Sequence, residues 1–330
     1  MAKTIVTGIK PTGIAHIGNY FGAIKPAIEL SNKEDYNCFY FIADYHALTT
    51  VKNKQELKEN SFKIACIWLA CGLDPNKVTL YRQSDVPQVC ELSWILSCIT
   101  AKGFMNRAHA YKNIVEKNKE IGSEEDDGVN MGLFNYPILM ASDIVLLNSN
   151  YVPVGKDQLQ HIEIARDMVK IFNKTFGNSL IMPSAITEKE QAIILGTDGQ
   201  KMSKSYGNII PIICESNQLQ KLISKIVTDS SLPNQPKNTN CTIFNLYKLF
   251  ANEQEIMSFE TEFKKGISWA EAKKILFEKM DSFLEPIRQK YLFYFNNPQI
   301  VEEILLKGAQ KVRPIAEETI TRVKKAVGLK

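Results

Sequence analysis

Between an apolar run and an amphipathic stretch, "KTIVTGIKPTGIAHIGNYFGAI" (residues 3–24) sets Gly8, Gly13, Gly18 and Gly22 around one histidine, His16. Glycine costs backbone entropy, so such a cluster is best explained where the chain curves tightly or lies against a ligand. A strand, a glycine-bearing turn and a helix N-terminus make an anion site, because unpaired N–H groups and the helix dipole point the same way. The spacing is neither G-x-G-x-x-G nor the Gly-Lys-Ser/Thr ending of a P-loop, which disfavours a plain dehydrogenase and a P-loop ATPase. A second stretch, "GTDGQKMSKSYGN" (residues 196–208), flanks Lys201 and Lys204 with Gly196, Gly199 and Gly207. Lysines on a loop that can move suit a phosphate gripped during reaction and then released. Taken singly, the first stretch also reads as a tight turn with no ligand, and the second as a solvated basic loop.

These groups need a scaffold. Thr4–Thr7 predicts a strand and Ile14–Leu30 a helix; Asn37–Ala43 a buried strand and Gln55–Cys71 a helix; Val78–Gln83 a strand and Gln88–Thr100 a helix. Short apolar runs followed by helical patterns argue for βαβ units and a parallel sheet. Tyr151–Val154 adds a strand, with Asp157 as an N-cap for a helix running to Phe176. After about Ser205 the pattern is helical, with no convincing strand beyond "NIIPII" and one Pro/Asn-rich stretch, "SSLPNQPKNTNC". The expected division is residues 1–205, an α/β domain that includes the lysine loop, and residues 206–330, an all-helical domain. The last helix, about 308–330, is placed to pack back on the first domain. "GSEEDDG" (residues 122–128) reads as a solvated acidic loop.

Bulk composition narrows the class. The 330 residues are 45% hydrophobic and 23% charged, ordinary for a soluble globular protein of about two domains. No apolar run nears the ~18 residues that a membrane span needs. The N-terminus reaches glycine and polar residues too soon for a secretory segment, so a cytoplasmic protein is expected. The seven cysteines contain no C-x-x-C pair and read as buried thiols, and the four scattered histidines lack zinc-ligand spacing. No protein-held metal is expected. A net charge of +4 permits a polyanionic partner without requiring one.

The two stretches gain meaning together. "P-T-G-x-x-H-I-G-N" (residues 11–19) followed by an intact "K-M-S-K-S" (residues 201–205) resembles the paired signatures of class I aminoacyl-tRNA synthetases. "DYHALT" (44–49), "NYPILMASDIVLLN" (135–148), "VPVGKDQLQHIEIARD" (152–167), "KIVTDS" (225–230) and the closing "KGAQKVRPIAEETITRVKKAVG" resemble the bacterial tryptophanyl branch across essentially the whole chain. The sister tyrosyl branch normally carries Gln where this chain has Met140; it is the runner-up. The resemblance implies a Rossmann-like, doubly wound parallel sheet with a helical anticodon-binding domain.

It also implies roles for residues. On ATP it places Lys10, Pro11, Thr12, Gly18 and Asn19 from the turn, and Lys201, Met202, Ser203, Lys204 and Ser205 from the loop. His16, Asn19, Lys201 and Lys204 would be the electrostatic stabilisers of the reaction. Gly155, Lys156 and Asp157 resemble an adenosine contact, and Ile193, or Ile194, would offer backbone to adenine. Lys112 resembles one of two phosphate-facing lysines, but the partner position holds Ile114. An indole has one N–H donor on a large apolar body, so its pocket needs one acceptor among apolar walls. Asp143 is the expected acceptor, with Met140, Val6, Val152 and Val154 as walls. Tyr136 and Gln158 would face the amino group. His46 would lie over the substrate ring or serve structurally, and His161 reads as structural.

The implied chemistry is attachment of L-tryptophan to tRNA(Trp) through an adenylate, with Mg²⁺ carried by ATP. The partners implied are tRNA and a second copy of the chain, with no membrane and no DNA. Outside this class, a small-molecule nucleotidyltransferase would need neither the long helical part nor the Asp143 pocket, and a synthetase-like binding protein would be expected to carry degraded signatures.

Overall fold

The structure is a computed structural model that describes residues 2–155, 158–187 and 193–329. Among the described residues, five strands form one parallel sheet in the order β3-β2-β1-β4-β5: β1 (Lys3–Ile9), β2 (Tyr36–Ile42), β3 (Val78–Arg82), β4 (Tyr151–Pro153) and β5 (Ser184–Ile186). β1 lies at the centre, in register with β2 from Lys3↔Tyr36 to Ile9↔Ile42 and touching β4 at Ile5↔Tyr151. The strand order reverses between β1 and β4. Chains leaving these two strands diverge, and the crevice outside the strand ends is where open α/β sheets take ligands. The glycine-rich turn begins there.

Alternation along the strands assigns each face its own core. Ile5, Tyr40, Ile42 and Leu80 point to one side, and Val6, Phe41 and Tyr81 to the other, all nearly fully buried. The first face is covered by α1 (Ile17–Asn19), α2 (Lys25–Ser31) and α4 (Lys54–Ala70). The second is covered by α5 (Gln88–Ile99), α8 (Met131–Leu146) and α9 (Leu159–Phe176). Between α2 and α4 lies a single turn, α3 (Asp44–Ala47); α6 (Lys102–Met105) and α7 (His109–Glu120) follow α5.

From Ser216 onward the regular elements are helices: α10 (Ser216–Ser224), α11 (Thr242–Phe250), α12 (Glu253–Lys265), α13 (Trp269–Asn296) and α14 (Pro298–Val327). α10 to α13 extend the first core, with Leu276, Met280 and Leu284 of α13 fully buried. The chain turns at Asn297, and α14 crosses to the second face, where Ala309, Val312, Ala316 and Ile320 join the core. On the way it covers β3, the edge strand, which would otherwise present unpaired backbone groups. The approach is close: a Cβ on Gly308 would sit 1.8 Å from the Leu80 carbonyl oxygen.

Two details depart from the sequence expectations, and a third falls outside the described residues. The helix expected over residues 14–30 starts at Ile17, and Tyr20–Ile24 forms a π turn between α1 and α2. β5 was not expected; it is three residues long, too short for an alternation pattern to register. The expected N-cap Asp157 lies outside the described residues, and α9 is described from Leu159. The acidic stretch 122–128 forms exposed turns after α7.

Gly308→Ala should force helix and edge strand apart and cost roughly 1–3 kcal/mol in a urea unfolding series, as overpacking does. A variant as stable as the parent would contradict the packing of α14 on β3.

Candidate active site

Two distant segments meet beyond the end of β1. Residues 209–213 run antiparallel to the histidine turn: the Ile17 amide donates to the Ile210 carbonyl at 2.9 Å, and the Ile212 amide to the Ala15 carbonyl at 3.1 Å. This pairing brings the lysine loop to the turn. Lys204 Nζ donates to the Thr12 carbonyl, and Met202 is buried with its sulfur 3.7 Å from where a Gly18 Cβ would lie. That Cβ would be 2.9 Å from the His16 ring, so the imidazole has its place because residue 18 is glycine. Asn19 Oδ1 accepts from the His16 amide at 3.2 Å.

His16 is 7% exposed, and its Nδ1 has no hydrogen-bond partner among the described residues. Burial first, and the Lys204 cation second, push the ring down to about 4. The imidazole is therefore neutral near pH 7, able to donate a hydrogen bond without adding charge.

The lysine loop has its own staple. Asn208, 2% exposed, accepts from the Ser203 amide at 2.8 Å through Oδ1. Its Nδ2 donates to Asp198 Oδ1 at 2.7 Å and to the Lys201 carbonyl at 3.1 Å. The Met202 amide donates to the Ile194 carbonyl at 2.8 Å. Lys201 and Ser205 remain exposed.

The second cluster centres on Asp143, which lies on α8 and is 5% exposed. Gln83 Nε2 donates to both carboxylate oxygens, at 2.8 and 2.9 Å, and His46 Nε2 lies 3.0 Å from Oδ2. Burial pushes the Asp143 carboxyl up, and the His46 and Gln83 bonds pull it back down. Gln83, 1% exposed, also accepts from the Tyr45 amide at 3.1 Å, while Ser84 bonds Asp44. Gln83 thus joins α3 to α8. Nothing in "YRQSDVPQ" marks it as a site residue, and the sequence reading missed it. Asn208 was missed for the same reason: only the fold brings it back under the loop.

Val6 and Val152 lie in one buried cluster with Ile138, Ala141 and Ile144 of the Asp143 helix, and Met140 and Val154 pack against it. Tyr136 reaches His161 Nε2 at 2.6 Å, a contact that ties α8 to α9. Gln158 stands at the start of α9, its amide donating to the Gly155 carbonyl at 3.0 Å. Lys156 and Asp157 lie outside the described residues. Ile193 is 67% exposed, whereas Ile194 packs against the core. Lys112 is exposed on α7, 3.9 Å from Glu116.

A chain of contacts connects the two clusters. Lys204 bonds Thr12; the Thr12 amide donates to the Lys10 carbonyl at 2.8 Å; Lys10 Nζ donates to Thr49 Oγ1 at 2.9 Å; Thr49 Oγ1 donates to the His46 carbonyl at 2.8 Å. His46 then meets Asp143. The turn-and-loop cluster and the buried Asp143 carboxylate are thus joined by one run of hydrogen bonds.

Comparison with known proteins places the chain in a family. A family model described as tRNA synthetases class I (W and Y) matches residues 2–285. The chain belongs to this family. The Tryptophan--tRNA ligase of Pseudomonas aeruginosa is 46% identical over 334 residues, covering 100% of this chain and 75% of its own length. That of Bordetella parapertussis is 45% identical over 332 residues, covering 100% of this chain and 74% of its own. The tryptophanyl-tRNA synthetase of Campylobacter jejuni, solved in complex with ADP and tryptophan, superposes at a TM-score of 0.92 with 42% identity, over 99% of this chain and 100% of that one. The synthetase fold is shared more widely: a tyrosyl-tRNA synthetase from Archaeoglobus fulgidus superposes at 0.63 with 18% identity.

For this synthetase the neutral His16 sets a pH signature. Burial of the neutral ring supplies stability that is fully present above the free value of about 6.5 and is lost as pH falls toward about 4. An NMR titration of the His16 ring should show a midpoint near 4, shifted upward in Lys204→Met. A midpoint near 6.5, unmoved by that substitution, would contradict the buried geometry.

Proposed function

We propose that this synthetase attaches L-tryptophan to tRNA(Trp) using ATP. The observation that carries the reading is the Asp143 carboxylate, buried among apolar side chains and held by Gln83 and His46 so that it can accept the indole N–H. The family membership and the tryptophan-named relatives support it; the tyrosyl alternative rests on likenesses that speak for the fold alone. A ligand lacking the donor would leave that acceptor unpaired, and such sites reject analogues by ~10⁴ or more.

In the first step a carboxylate oxygen of tryptophan bonds the α-phosphorus of ATP, and pyrophosphate leaves with the electron pair of the broken P–O bond. A ribose hydroxyl of the tRNA terminal adenosine then attacks the carbonyl carbon, the bond from that carbon to the phosphate oxygen breaks, and AMP departs with the electron pair while its phosphate takes up the hydroxyl proton. The nucleophile of the first step is already ionised at neutral pH, so no residue is assigned as general base. Catalysis is positioning and stabilisation of charge. His16 and Asn19 donate to the phosphates without adding charge, while Lys201 and Lys204 supply cations from the loop. Mg²⁺ enters with the nucleotide as part of that substrate. Lys10, Pro11, Thr12, Gly18, Met202, Ser203 and Ser205 shape the same cradle, and Gly155, Lys156, Asp157 and Ile193 serve the adenosine. Tyr136 and Gln158 face the amino group of tryptophan.

The helical portion after residue 205 reaches the anticodon. The enzyme works in the cytoplasm as a homodimer; the face bearing Trp94, 72% exposed beside a groove of about 520 Å³ lined by Tyr45, Leu48, Ser93 and Leu139, supports that assembly.

Pyrophosphate exchange with each amino acid, followed by charging of total tRNA, tests the proposal. Tryptophan should support exchange and tyrosine should not; the reverse would overturn it. Lys201→Ala should slow adenylate formation by ~10²-fold, the usual cost of one charge-stabilising group, and leave tryptophan affinity within about twofold. Equal losses in rate and affinity would contradict the role given to Lys201.

A further inference from the structure

Helix α14 runs outside the crevice, yet it grips both segments that build the tryptophan acceptor. At the end of β3, Glu302 accepts from Arg82 through two bonds, at 3.0 and 2.7 Å, and Arg82 Nε donates to Asp85 at 2.9 Å. Arg313 Nε donates to the Asp85 carbonyl at 2.8 Å. These contacts hold, from outside, the short turn Gln83–Asp85. From inside, that turn supplies the Gln83 amide to Asp143 and Ser84 to Asp44.

The second grip is at the other end of the same helix. Arg322 Nη2 donates to Asn148 Oδ1 at 2.7 Å, and Asn148 Nδ2 donates to the buried Thr319 hydroxyl at 3.1 Å. Asn148 lies just past the end of α8 with φ of 52°, a left-handed conformation uncommon for a residue other than glycine. Asp143 is about one turn back along α8. The acceptor and its donor are thus carried on two segments that meet in the crevice, and each segment is fastened to α14 within a few residues of the group that matters.

We propose that α14 is a positioning element for the amino-acid pocket: the Glu302–Arg82 and Arg322–Asn148 contacts fix the Gln83 amide against the Asp143 carboxylate, and so set the affinity for tryptophan. This rests on the tryptophan ligase reading above. The Glu302 side chain is 43% exposed and that of Arg82 24%, and a pair open to solvent on one side contributes little to stability. Its value lies in geometry, because an amide displaced by a fraction of an ångström no longer reaches both carboxylate oxygens. α14 follows α13 directly, so the pocket is in mechanical contact with the part of the chain proposed to read tRNA.

The test is steady-state pyrophosphate exchange on the full-length enzyme, with thermal melting in parallel. Glu302→Gln should raise the KM for tryptophan about tenfold, with the KM for ATP, kcat and the melting temperature nearly unchanged. Arg322→Ala, acting at the other grip, should raise the same constant. Glu303→Gln, which alters only an exposed pair with Lys307 on the same helix, should change nothing. An unchanged tryptophan KM in both the Glu302 and the Arg322 variants, or a rise in the tryptophan and ATP constants together, would overturn the proposal. Absence of tryptophan-dependent exchange by the unmodified enzyme would overturn the ligase reading as well, so the two failures are distinguishable.

Discussion

A carboxylate cannot be buried cheaply, and much of the crevice can be understood as the answer to that cost at Asp143. Its oxygens need donors, and the two that serve come from different places: Gln83 at the end of an edge strand and His46 on a one-turn helix after the neighbouring strand. For both to arrive, β2, β3 and α8 must converge to within hydrogen-bonding distance. The 83–85 turn then needs its own anchors, which Asp44 and Tyr45 provide inside and α14 provides outside. One buried charge therefore ties together elements separated by more than two hundred residues of chain.

The nucleotide side follows a complementary logic. Positive charge there is left on exposed lysines, while the buried group, His16, is kept neutral by desolvation and by Lys204. A charged imidazole beside that cation would repel it; a neutral one can bond a phosphate and let it go. The relay Lys204, Thr12, Lys10, Thr49, His46, Asp143 joins the lysine loop and the buried carboxylate in one connected set of groups. The reaction asks for alignment of two substrates rather than for proton transfer, and such a relay serves alignment.

What the sequence made legible were features with a strong local signal. The parallel sheet showed in short apolar runs alternating with helical periods, and the glycines of the first turn and the paired lysines marked two segments that the fold brings together. Asp143 stood out only beside the sequence pattern it shares with the tryptophanyl branch. Gln83 and Asn208 were silent, because a polar residue after a strand or at the end of a loop looks like solvent-facing polarity until the fold buries it. β5 is shorter than any periodicity that could reveal it, and the π turn at Tyr20–Ile24 is a local register shift within an otherwise helical pattern. The contact of His46 with Asp143 is compatible with both readings left open for that residue. The grip of α14 on β3 depends on Gly308 meeting Leu80 across the chain, information held in no single stretch.

The central claim, that a buried carboxylate recognises the indole N–H, is tested most directly by an isostere that lacks only that donor. Calorimetric titration with tryptophan and with β-(3-benzothienyl)alanine, in which sulfur replaces the ring nitrogen, compares ligands of nearly equal size and apolarity. The account predicts that the sulfur analogue binds at least ~100-fold more weakly, the cost of leaving a buried charged acceptor unpaired. Equal affinities would contradict it.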